Sequence, residues 1–317
     1  MNLISFECQH SLRRRKPKVR LGPSGTHLFD RTSGANLLID ELIPPEADWA
    51  IAPRQVSIAL TNTCDLDCPY CFASKTHASL AFDLVASWLN ELDANGTLGV
   101  GFGGGEPTLY PRFDGICAYA ANNTGLAVTF TTHGHHLNDT FLAALRGNVH
   151  FIRVSMDGIG ATYERLRNRP FDALQRRLDA IKRTVPFGIN YVVNEDTLPD
   201  IAIAAAFAEN AGASEFLLLP ERPAKGRPGL TADTANTLRM WVKRYSGSLR
   251  LAVSEADSEG MPTCNPLQHE TGLRAYAHID ANGVLKRTSF DNQGVTITSD
   301  GISPALRELN QDTRVAS

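Results

Sequence analysis

The stretch Gln55-Val-Ser-Ile-Ala-Leu-Thr61-Asn-Thr-Cys64-Asp-Leu-Asp-Cys68-Pro-Tyr-Cys71 alternates apolar and polar residues as far as Thr61, then becomes a loop carrying three cysteines. Val56, Ile58 and Leu60 fall on one face of a period-two pattern, which reads as a strand. Residues 77–92 follow with helical spacing at Leu80, Leu84, Trp88 and Leu92, and Asn95-Gly96 stops the helix. Strand, loop and helix make one β-α unit, and the chain goes on repeating it. Strands at residues 97–103, 126–132, 149–155, 187–193 and 215–219 alternate with helices at 111–122, 138–146, 171–184, 199–211 and 231–245. That predicts six units, with a further strand at 249–253. Repeated β-α units imply a parallel sheet with right-handed crossovers, so the expected class is α/β, as an open sheet or a barrel. In either form the working residues sit on loops at the carboxyl ends of the strands.

Working outward, two flanks lie beyond this repeat and divide the chain into residues 1–52, 53–253 and 254–317. The first flank has a basic run from Arg13 to Arg20, then a hairpin around Arg31-Thr-Ser-Gly34. The last has a hairpin around Asp280-Ala-Asn-Gly283, a sequence that signals a type I′ turn. The final dozen residues are polar and read as loose. With 317 residues, 43% hydrophobic and 21% charged, the chain can bury a sizeable core, and wholesale disorder is excluded. Lys and Arg number 31 against 34 Asp and Glu, a balance that argues against a nucleic-acid-binding protein. No run approaches the about 18 apolar residues of a membrane span, and the start does not read as a signal peptide. The expected setting is therefore the cytoplasm.

The six cysteines are Cys8, Cys64, Cys68, Cys71, Cys117 and Cys264. A disulfide framework is not expected in a large chain without a secretion signal. Cys117 lies among Ile116, Ala118 and Tyr119 of a predicted helix and reads as a small core residue. Cys64, Cys68 and Cys71 can converge on one centre. Three ligands are too few for a closed structural zinc site, whereas a four-iron cluster held by three thiolates keeps one iron open.

The spacing C-x3-C-x2-C with aromatic Phe72 after it resembles the signature of the radical S-adenosylmethionine (SAM) superfamily. The resemblance implies a partial (β/α)6 barrel of the TIM-like type, one [4Fe–4S] cluster on Cys64, Cys68 and Cys71, and SAM chelated to the open iron. It also implies reductive cleavage of SAM to a 5′-deoxyadenosyl radical that abstracts hydrogen from a substrate. Gly103-Gly104-Gly105-Glu106-Pro107, at the end of the next strand, is similar to the family's Gly-Gly-Glu-Pro motif, which binds the SAM amino group. Glycines allow a close backbone approach, and Glu106 offers an acceptor for an ammonium. Ser155, in Ser155-Met-Asp157-Gly158, resembles the family's ribose and carboxylate site. Asn194 stands where relatives place a polar residue near the ribose, and Arg222 where adenine and carboxylate contacts lie. Where many relatives have Thr-Asn-Gly, this chain has Thr132-His133-Gly134, followed by His135 and His136. That run is either a solvated loop or the source of a substrate contact or proton donor in His133.

The flanks resemble radical SAM enzymes that modify ribosomally made peptides. The segment from His27 to Asp40 looks like their opening hairpin, and the region from Cys264 through the last hairpin like the SPASM or twitch extension. After Lys286 that family expects Pro-Cys, but this chain has Arg287-Thr-Ser289, and no cysteine follows Cys264. The extension is thus expected to keep its hairpin without auxiliary metal clusters. Cys264 is either inert packing or a thiol that gives a hydrogen atom to a substrate radical. Arg13–Arg20 is either a flexible basic tail or an anchor for an acidic leader peptide. The implied partners are a peptide substrate and a low-potential electron donor of flavodoxin or ferredoxin type. Two other readings stand beside this one: a radical SAM enzyme acting on a sugar, nucleotide or cofactor precursor, and a non-catalytic iron–sulfur or zinc module.

Overall fold

A computed structural model describes residues 17–254, 258, 260–263, 265, 267 and 269–315. It opens with an antiparallel sheet of β1 (Lys18–Gly22), β2 (Gly25–Asp30) and β3 (Ala35–Ile39). The repeat then runs β4 (Gln55–Thr61), α1 (Phe82–Ala94), β5 (Gly99–Gly104), α2 (Phe113–Asn123), β6 (Ala127–Thr132), α3 (Asp139–Leu145) and β7 (Phe151–Ser155). Next come α4 (Ala161–Arg167), α5 (Phe171–Lys182), β8 (Phe187–Val193), α6 (Ile201–Ala211), β9 (Glu215–Pro220), α7 (Ala232–Arg244) and β10 (Arg250–Val253). The last elements are β11 (Tyr276–Ile279), β12 (Val284–Lys286), β13 (Val295–Thr296) and α8 (Ile302–Val315).

From β4 to β10 each strand lies parallel beside its predecessor, as six right-handed β-α units demand. Among the described residues the sheet does not close on itself: β10 ends one side and β13 the other, so the barrel is partial. β11 adds to the outer edge of β4, parallel and with Tyr276 opposite Gln55, so the C-terminal hairpin continues the barrel sheet. Ile58, Leu60, Phe102, Phe130, Ile152, Ile189 and Phe216 are at most 1% exposed and share one core with Trp88, Leu89 and Leu92 of α1. Each such side chain contributes about 1.5–3 kcal/mol by leaving water.

Four expectations need correction. The Asp280–Gly283 turn is not type I′, because that type requires positive φ at two successive central residues. Here only Gly283 has it, at +78°, with its N–H donating to the Asp280 carbonyl at 3.0 Å. Beyond the pair Ile279–Leu285, the Asp280 N–H donates to the Val284 carbonyl at 3.0 Å, which leaves a three-residue loop with the left-handed glycine at its end. The polar tail is not loose: α8 buries Ile302, Ala305, Leu306 and Leu309 at helical spacing. Its first-turn Ile302 and Ser303 N–H groups donate to the Glu91 carboxylate of α1, at 2.8 and 2.7 Å.

The basic run is also partly structural. Arg13 to Lys16 lie outside the described residues, but Lys18 and Arg20 belong to β1. Lys18 pairs with Asp93. Arg20 is 2% exposed, gives Nε–H to Glu270 at 2.6 Å, and donates to the carbonyls of Ala52, Gly96 and Arg274 at 2.9–3.0 Å. A guanidinium so enclosed ties flanks to barrel and serves neither as a tail nor as a leader anchor. Finally, α1 starts later than predicted, because residues 77–81 run beside β4, with the Leu80 N–H on the Leu60 carbonyl at 3.0 Å.

Candidate functional site

β4 delivers its chain into the three-cysteine loop at the carboxyl end of the sheet. A turn closes it, with the Cys71 N–H donating to the Cys68 carbonyl at 3.1 Å. The end of β5 runs hard against this loop. Gly105 N–H donates to Thr61 O at 2.7 Å and Glu106 N–H to Thr63 O at 2.8 Å. A Cβ on Gly104, where φ is +127°, would lie 2.1 Å from Thr61 O, and one on Gly105 would lie 2.3 Å from Thr63 O. Only glycine permits that approach. Gly103 differs, since a Cβ there meets nothing within 4 Å. The glycine turn therefore presses one side against the cysteine loop and leaves the other open.

Two buried carboxylates brace the loop. Glu106 is 1% exposed and accepts from Thr108 Oγ1 at 2.6 Å, Thr132 Oγ1 at 2.7 Å, the His133 N–H at 3.0 Å and the Thr108 N–H at 3.2 Å. Its oxygens are thus engaged by donors of three neighbouring residues. His133 is 4% exposed, so the loop after β6 is not solvated. Its Nδ1 accepts the His135 N–H at 3.1 Å, which leaves the proton on Nε2, donating to Asp65 at 2.9 Å. Burial lowers its pKa, against the pull of Glu106 and Asp65. Burial alone would raise the pKa of Asp65, but His133, His136 and Arg169 together hold it well below the usual carboxylate range.

On the far side, Asp157 is fully buried. It accepts from Tyr70 Oη at 2.6 Å and the Val192 N–H at 2.6 Å, and pairs with Arg167. Arg167 sends its other terminal nitrogen to Cys68 Sγ at 3.5 Å. Burial raises the pKa of the Cys68 thiol and Arg167 opposes that rise; burial also raises Cys64, whose sulfur accepts the Leu66 N–H at 3.4 Å. Lys75 and Lys225 hold the loop's outer carbonyls, at Leu66 and Cys68, at 2.9 and 3.2 Å.

Ser155 ends β7 opposite Asn190 of β8. Asn190 is 8% exposed and Asn194 2%; among the described residues, Asn190 Oδ1 and Asn194 Nδ2 have no hydrogen-bond partner. Asn194 Oδ1 is occupied, capping the Asp196 and Thr197 N–H groups at 3.0 and 2.9 Å. Phe72 and Arg222 meet through a third residue: the Phe290 ring lies 4.3 Å from that of Phe72 and 5.2 Å from the Arg222 guanidinium. Phe290 follows the segment where relatives carry Pro-Cys. Cys8 and Cys264 lie outside the described residues.

This donor set suits a thiolate-held cluster. Three cysteines free of disulfides share one loop, Arg167, Lys75 and Lys225 contact it, and Asn190 and Asn194 of neighbouring β8 and its end carry amide atoms without a partner among the described residues. Cys64, Asp65 and His133 also bring three ligand atoms within 4.8 Å of one another, an alternative grouping for a single metal ion. Sequence reasoning gave no role to Tyr70, Asp65 or Asp157, although all lie in the quoted motifs. It missed Arg167, whose seven-residue helix is too short for a periodic signal, and Asn190, whose only mark is one amide in an apolar strand.

Residues 58–201 match the radical SAM superfamily profile. The chain is 31% identical over 182 residues to an AdoMet-dependent heme synthase of Methanosarcina barkeri, covering 53% of this chain and 52% of that one. It is 25% identical to the sporulation killing factor maturation protein SkfB of Bacillus subtilis, over 52% of this chain and 42% of that protein. The chain thus spans about half the length of the curated relatives it matches. Among solved structures, Streptococcus suis SuiB superposes with a TM-score of 0.68 over 88% of this chain and 85% of SuiB, at 15% identity, and has also been solved bound to the precursor peptide SuiA. That likeness concerns the fold, a radical SAM partial barrel.

Proposed function

From the premise that this chain carries a radical SAM domain, we propose that it is an enzyme maturing a ribosomally made peptide with a single [4Fe–4S] cluster and SAM. The chemistry such a cluster and SAM supply when bound is one-electron cleavage of the sulfonium, giving methionine and a 5′-deoxyadenosyl radical that takes a hydrogen atom from substrate. The observation that carries the proposal is the three-cysteine loop pressed against the glycine end of β5, at the carboxyl end of a parallel sheet.

The chain's own residues then have distinct tasks. Cys64, Cys68 and Cys71 ligate iron. Gly104 and Gly105 bring the β5 backbone to the loop, and the open side at Gly103 receives the methionine end of SAM. Glu106 braces that edge. Ser155, Asn190 Oδ1 and Asn194 Nδ2 offer polar groups for a ribose or carboxylate, while Phe72 and Arg222 flank the mouth. A low-potential flavodoxin or ferredoxin supplies the electron.

The peptide is favoured by SkfB, a maturation protein by name, and by SuiB, solved with its precursor peptide. A small-molecule substrate is favoured by the similarity to a heme synthase. Anaerobic reconstitution with iron and sulfide, then dithionite and SAM, tests the first step. A four-iron spectrum with release of 5′-deoxyadenosine is expected. Tight zinc at one per chain without SAM cleavage would overturn the reading in favour of a metal-binding module using Cys64, Asp65 and His133. Incubation with a precursor peptide encoded beside this chain, read by mass spectrometry, tests the substrate.

A further inference from the structure

Arg167 is an unusual neighbour for a metal-binding sulfur. The natural mate of a guanidinium is a carboxylate gripped by two parallel N–H groups. Arg167 instead pairs with Asp157 through one terminal nitrogen and turns the other to Cys68 Sγ, while its Nε–H is buried without a partner among the described residues. The arrangement gives up a bidentate grip on Asp157 and gains a charged N–H on sulfur. The group is well fixed, with Asp157 anchored by Tyr70 and by the Val192 N–H, and the guanidinium lying 5.8 Å over the Tyr70 ring. Cys64, by contrast, receives a neutral backbone N–H, that of Leu66.

We infer that Arg167 is a positioning residue that raises the reduction potential of the cluster held by Cys68. The inference rests on the proposed function. A hydrogen bond to a ligating sulfur withdraws electron density from it, and a fixed positive charge stabilises the more negative, reduced cluster. Burial strengthens both effects, because little water screens them. Asp157 offsets part of the charge but carries no N–H to the sulfur. Reduction takes one electron from an external low-potential donor into the cluster; no bond breaks and no proton moves.

The test compares wild type, Arg167→Lys and Arg167→Gln after anaerobic reconstitution, with iron and sulfide counted per chain. The reduced cluster is followed by electron paramagnetic resonance through a dithionite titration, without SAM or substrate. At the poise where wild type is half reduced, the Gln variant is expected to show a reduced-to-oxidised ratio about tenfold lower, a fall of about 59 mV for one electron. The Lys variant, which keeps the charge but not the fork, falls between. Variants with full iron and the wild-type midpoint would overturn the inference. So would variants that bind no iron, since Arg167 would then serve assembly instead. A wild type without a four-iron signal would instead overturn the proposed function itself.

Discussion

The cysteine loop is gripped from two sides, and the two grips differ in kind. Toward β5 and β6, the Glu106 carboxylate meets hydroxyls and backbone N–H groups, with the His133 ring nitrogen 3.3 Å away. Toward β7 and α4, the Asp157 carboxylate meets a guanidinium and a phenol. Both carboxylates are at most 1% exposed, so each must be satisfied inside the chain. What differs is where charge is balanced. Glu106 spreads its charge over many weak donors that hold loops in place. Asp157 concentrates its charge on one cation, and that cation touches sulfur. One side sets geometry and the other sets electrostatics.

Breaking the charged side should cost most. Asp157→Asn leaves the Arg167 guanidinium buried without its anion, and a loss of about 3–5 kcal/mol is expected in urea unfolding. Glu106→Gln turns an amide NH2 toward donors. Its partners are mostly neutral, so a smaller loss of about 1–3 kcal/mol is expected by the same measurement. If the two losses were equal, the distinction between the grips would fail.

The histidine side should also respond to pH. Burial pushes His135 down to about 4, with the neighbouring His133 and Arg169 acting in the same direction. Its unfolded value lies near 6.5. Between these values the unfolded chain binds the extra proton, so stability falls as pH drops from about 6.5 toward 4. Unfolding midpoints at pH 7 and pH 5 should show this fall, and His135→Gln should lessen it, the remainder coming from His150 and His278, which burial also pushes down to about 4. The smallest effect is expected at the mouth. Phe290→Ala removes a ring pair worth about 0.5–1.5 kcal/mol and should shift the urea midpoint only slightly.

The grips differ as well in how far the sequence displayed them. The strand periodicity around Val56, Ile58 and Leu60 and the cysteine spacing were enough to place the loop and the α/β repeat, because both are local patterns. The glycine turn was legible for the same reason. Glu106 and His133 drew notice as ligand and proton donor. Their burial as braces depends on which loops the sheet brings side by side, which no local pattern encodes. Arg167 was invisible, since its partners Asp157 and Cys68 stand 10 and 99 residues away and its helix spans barely two turns. The left-handed Gly283 shows the limit at a turn: Asn-Gly marked the hairpin correctly, while loop length decided the turn type.

The parallel pairing of β11 with β4 carries a consequence for the order of folding. The strand that feeds the cysteine loop keeps a bare edge until a partner more than two hundred residues downstream has been made. The Arg20–Glu270 contact, 250 residues apart, waits as long. Contacts of such separation form slowly, and an unpaired central strand is an invitation to association with other chains. During synthesis, then, the three-cysteine loop exists on a scaffold that is still open on one side, and the nascent chain is most vulnerable to aggregation before its last hairpin docks.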